Sequence, residues 1–135
     1  MRPAILLASL LAAAPLFAAG HTTLGVSAMD QDVSGGTVVA DSVVAPANGW
    51  MVVHRTDADR TPGPVVGHAP LRAGANAEVT AILTEDVTPG DMLMLMIHGE
   101  DGGTQTGIFE YTLGAPEDGP YRLDGDLVMT VITAQ

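Results

Sequence analysis

Polar and apolar positions interleave over Thr37 to Val44 and over Glu78 to Leu83, the spacing of strands that bury one face. Two other stretches, Trp50 to Val53 and Met92 to Ile97, are apolar at every position. Such runs predict central strands covered on both sides, or a strand that lines a partner surface. Between the segments stand turn residues: Gly35-Gly36, Asn48-Gly49, Pro62-Gly63-Pro64, Ala73-Gly74, Pro89-Gly90-Asp91, Gly102-Gly103, Asp118-Gly119-Pro120 and Asp124-Gly125. Close punctuation around segments rich in Val, Ile, Thr and Met predicts an all-β domain, an immunoglobulin-like antiparallel sandwich of about seven to eight strands. Strands are expected near 24–30, 37–45, 49–55, 65–70, 77–83, 91–98, 107–112 and 126–133. Asn48-Gly49 is the strongest hairpin signal, because a two-residue type I′ turn needs positive φ twice.

Length and charge narrow the picture. The chain has 135 residues without an internal repeat or linker, which predicts one domain. Its first twenty residues have the three parts of a secretory signal: Arg2, an apolar run from Ala4 to Ala14, then Pro15 and small residues through Gly20. The expected organisation is a signal peptide over 1–20 and a single β-sandwich domain over 21–135, in a periplasmic or secreted protein with no membrane span in the mature chain. Loss of the signal moves the formal net charge from −11 to −12, because Arg2 leaves with it. So acidic a chain is a poor partner for nucleic acid, which needs a basic patch. The absence of cysteine removes disulfides and thiolate chemistry, and the absence of lysine removes a Walker phosphate loop and a Schiff base.

The ordered string Met29-Asp30-Gln31, Ser34-Gly35, Thr37-Val38-Val39, Gly49-Trp50-Met51-Val52-Val53-His54 and Gly67-His68-Ala69-Pro70-Leu71 resembles a secreted domain-of-unknown-function family of haloarchaeal and bacterial surface proteins. The likeness continues through Val79-Thr80, Leu93 to His98, Phe109-Glu110-Tyr111 and Val128 to Thr133. It implies an exported β-sandwich-like module and assigns no activity. The methionine-rich run Met92-Leu93-Met94-Leu95-Met96 departs from that pattern and points to a property particular to this chain.

Catalytic signatures are missing. Gly25-Val26-Ser27-Ala28-Met29 lacks the second glycine of a nucleophile elbow, and no histidine opens a His-Glu-x-x-His motif. Asp57-Ala58-Asp59 begins like a calcium loop, but Pro62 and His68 stand where Gly and Glu are required. Acid pairs such as Glu100-Asp101 lie in Gly-rich turns, where carboxylates are usually solvated, so a hydrolase built on them is the weakest reading. The leading expectation is therefore a non-catalytic exported module without a cofactor, binding or supporting an extracytoplasmic protein or a small ligand.

The alternative is a periplasmic copper or zinc binding protein using His54, His68 and His98, with methionine thioethers as soft ligands. By strand parity Met92, Met94, Met96 and His98 share a face, as do Trp50, Val52 and His54. His21 would sit at or near a new N-terminus and offer a chelate with the free amine. In an immunoglobulin-like order the third and sixth strands pair antiparallel, which sends His54 and His98 to opposite ends. In another strand order they could converge on a shared metal; the expectation is separation, with each imidazole bonded to its own loop.

Overall fold

The computed structural model describes residues 23–135. The signal expected over 1–20 and the His21 chelate lie outside the described residues. Among the described residues nine strands follow in order: β1 (Gly25–Ser27), β2 (Thr37–Ala45), β3 (Gly49–Thr56), β4 (Val65–Leu71), β5 (Gly74–Leu83), β6 (Met92–Gly99), β7 (Arg122–Leu123), β8 (Asp126–Leu127) and β9 (Met129–Thr133). Among the described residues there is no helix long and apolar enough to cross a membrane.

The fold is all-β. Seven strands form one antiparallel sheet in the order β1-β2-β5-β4-β3-β6-β9, and β7-β8 form a small ribbon. The join between β4 and β5 is narrow, with pairs only at Gly67↔Leu83 and His68↔Ile82. On one side of that join lies the β1-β2-β5 group and on the other the β4-β3-β6-β9 group. Their inner faces share one core: Val38, Ala40 and Val43 from β2 meet Met51 and Val53 from β3, and Leu93, Leu95 and Ile97 from β6. The far edges also approach, because a parallel bridge links Gln31 to Ala134. The sheet therefore curls nearly into a barrel around an aliphatic interior.

The two all-apolar runs are central strands, as their composition predicts. Every residue from Gly49 to His54 and from Leu93 to His98 is buried. The inner face is covered by β2, and the outer face by the protein's own segment between β6 and β7. That segment holds the main departure from the sequence pattern. Ile108-Phe109-Glu110-Tyr111 alternates like a strand, yet 107–112 forms none. Phe109 and Tyr111 instead turn onto the outer face of β3 and β6.

Asn48-Gly49 makes no hairpin either. β2 pairs with β1 and β5 while β3 pairs with β4 and β6, so the chain crosses between the two groups at this point. Gly49 is glycine for proximity, since a Cβ there would overlap the His98 carbonyl oxygen of β6. Asn48 Oδ1 accepts a hydrogen bond from Ala73 N–H (3.0 Å).

Candidate functional site, a buried histidine pair

The outer face of β3 and β6 carries the chemistry. Antiparallel register sets Trp50 opposite His98, Val52 opposite Met96, and His54 opposite Met94. The next strands extend the rows, with His68 of β4 beside Val52 and Met129 of β9 beside Met96. All of these residues stand on one side of the sheet because their positions differ by two.

His54 and His98 lie four rows apart, toward opposite ends of the paired strands, as the antiparallel order requires. Their side chains nevertheless meet: Nε2 of His54 is 3.3 Å from Nε2 of His98. The expected separation is overturned. Strand parity puts both rings on one face, and both lean over the Val52–Met96 row. A register shift against β4 between Val53 and His54 re-aims His54 at that point. The other half of the expectation stands, for each imidazole is bonded to its own loop. His54 Nδ1 is 2.8 Å from the Gly63 carbonyl oxygen, and His98 Nδ1 is 2.6 Å from that of Asp118.

Those two bonds fix the tautomers. A carbonyl oxygen only accepts, so each Nδ1 carries a proton, and a neutral ring then leaves Nε2 as a bare lone pair. Burial holds both rings neutral. Desolvation pushes the His98 imidazole down to about 4, with repulsion from His54 adding to it and the bond to Asp118 opposing it. The same desolvation lowers His54 against the opposing bond to Gly63. The ring centroids are 5.4 Å apart, 2.1 Å more than the nitrogens, so the two Nε2 atoms face one another across the gap. Between neutral rings this is two acceptors in contact and no hydrogen bond.

Tyr111 roofs the pair, with its ring edge-on to His98 at 4.5 Å and to His54 at 5.8 Å between centroids. Carboxylates hold the roof in shape. Glu110 accepts from the amides of Thr104 (2.6 Å) and Gln105 (3.0 Å), and Glu100 from that of Gly107 (2.9 Å). Asp118 is buried at positive φ (46°); its Oδ2 accepts from Glu110 N–H (2.8 Å) while Oδ1 has no protein partner. Asp57 likewise caps its own turn at Asp59 N–H (3.0 Å). An open cleft of about 380 Å³ borders His98 and is lined also by Asn48, Glu100, Asp101 and Tyr121.

His68 does not join the pair. It is exposed, stacks on Phe109 at 4.2 Å, and meets the Trp50 ring edge-on. Among the described residues no three His, Cys, Asp or Glu side chains converge on a common point. Two of the three candidate histidines are thus brought together. The signal that could have shown it is the same-face parity of His54 and His98 on strands expected to pair.

Residues 25–135 match the family described as Domain of unknown function (DUF7282). The chain belongs to that family. It is also similar to Cell surface glycoprotein 2 of Haloarcula hispanica, with 33% identity over 107 residues. That match covers 78% of this chain and 11% of the glycoprotein, so the chain spans about a tenth of its relative's length. No solved structure matches the chain. The family domain begins at Gly25, the first residue of β1, and takes in every strand of the sheet together with both histidines of the pair.

Proposed function

We propose that the protein is a non-catalytic module of the cell surface or secreted space, with a binding or structural role. The observation that carries this reading is the likeness to Cell surface glycoprotein 2, in which the matched region is one small part of a much longer protein. Two features support it. The sequence holds neither a Gly-x-Ser-x-Gly elbow nor a His-Glu-x-x-His motif, and the loop carboxylates of Glu100, Glu110 and Asp118 accept from backbone amides. A net charge of −11 favours solubility where salt screens self-repulsion.

Fractionation of cells expressing the full chain with a C-terminal tag tests the location. The protein should be recovered outside the cytoplasm with its first twenty residues missing by mass, and a cytoplasmic form with Met1 intact would overturn the reading. Ester, glycoside and phosphoester chromogenic substrates test the absence of catalysis. Turnover abolished by Asp118→Asn, a change at the one buried carboxylate among the described residues, would overturn that part.

A further inference from the structure

We propose that His54 and His98 form a binding site for a single soft monovalent metal ion, copper(I), held between their Nε2 atoms with the Met96 thioether as third donor. The site goes beyond the surface-module reading and does not depend on it.

Three observations converge on this assignment. First, the Nε2 atoms are bare, buried and 3.3 Å apart. Two lone pairs at that distance repel, and a cation between them turns the repulsion into attraction. Bonds of roughly 2.0–2.1 Å to each nitrogen span the gap as a bent pair once the rings tilt to bring both lone pairs onto the ion, which leaves one side of the ion open to a further ligand. Second, both rings donate Nδ1–H to backbone carbonyls, of Gly63 and Asp118. This is the outer-shell arrangement that orients a metal-binding imidazole and raises its basicity. Third, Met96 occupies the register row midway between the two histidines, on their face of the sheet, with Met94 beside His54 and Met129 beside Met96.

The donor set selects the ion. Among the described residues no carboxylate or thiolate joins the pair, so the ligands are all neutral, and the desolvation of a divalent ion would go uncompensated in a buried site. Zinc prefers four ligands, and its structural sites are closed by charged sulfur or imidazole. Copper(I) carries a single charge and takes soft thioether with imidazole. Tyr111 closes the site over its top.

The test is anaerobic titration of copper(I) into the full chain carrying His21→Ala, in competition with a chromophoric copper(I) chelator. One equivalent should be retained. Retention should weaken by about 100-fold or more in His54→Gln and in His98→Gln, by about tenfold in Met96→Leu, and not at all in His68→Gln. Zinc(II) should be held more weakly than copper(I). Absence of retention, retention indifferent to both histidine substitutions, or preference for zinc would each overturn the proposal. A second measurement needs no substitution at the pair. Addition of silver(I) as a spectroscopically silent analogue should shift the ¹⁵N signals of both Nε2 atoms and leave both Nδ1 atoms protonated. Unshifted Nε2 signals would show a purely structural pair.

Discussion

The two faces of the β3–β6 pair come from the same strands and are equally buried, yet they differ in what keeps them folded. The inner face is Met51, Val53, Leu93, Leu95 and Ile97, fitted against β2 and β9. It needs only volume and shape, which many aliphatic combinations supply. The outer face is Trp50, Val52, His54, Met94, Met96 and His98, roofed by Phe109 and Tyr111. It buries ring nitrogens and thioethers, so each polar atom there must find a partner or cost stability. One strand pair thus carries a face that fills space and a face that places chemistry, and the second depends on Phe109 and Tyr111 of the long loop after β6.

Truncations give the largest effects and fall on both faces. Trp50→Ala should lose about 3–5 kcal/mol, because the ring is buried between His68 and Phe109 and anchors the roof. Leu95→Ala should lose about 2–5 kcal/mol from the inner face. Chemical denaturation measures both. A Trp50→Ala loss below about 1 kcal/mol would mean that the outer face contributes little to folding.

Acid should separate the faces. The unfolded chain protonates its histidines near the ordinary value of 6.5, whereas folded His98 resists until about 4. Stability is therefore complete above about pH 6.5 and falls as the pH drops through that window, by about 3 kcal/mol in all, because the unfolded state takes up the proton first. His54, lowered for the same reason, adds in the same direction. Asp32, Asp91 and Glu110 are held below the ordinary carboxylate range by hydrogen bonds, so their losses come at lower pH. Denaturation midpoints from pH 7 to pH 5 should decline in the wild type, decline less in His98→Gln, and keep the wild-type slope in Leu95→Ala. A flat wild-type profile would mean that the rings titrate normally.

Conservative changes should separate stability from chemistry. Met96→Leu conserves volume and should cost under about 1.5 kcal/mol. Ile82→Thr is the smallest expected effect, within about 0.5 kcal/mol, because that side chain is 72% exposed.

Much of the inner face was legible in the sequence. Period-two patterning places β2 and the second half of β5, and the two all-apolar runs are the central strands they imply. Asn48-Gly49 and 107–112 misled for related reasons. Local turn chemistry reads Gly49 as a bend, when the glycine answers a close approach by the His98 carbonyl. Local alternation reads Phe109 and Tyr111 as a strand, when their rings answer an uncovered face. Both are tertiary demands, and neither leaves a periodic trace. The histidine pair lies between these cases: its parity is visible on each strand, but its contact depends on register and on two side chains leaning across four rows.

The most direct test of the account is the protonation state of His54 and His98 in the metal-free protein at neutral pH, read by long-range ¹H–¹⁵N correlation of the imidazole rings. The account predicts both rings neutral, each with its proton on Nδ1 and a bare Nε2. A proton on Nε2 of either ring, or titration of either ring near its ordinary value of 6.5, would contradict it.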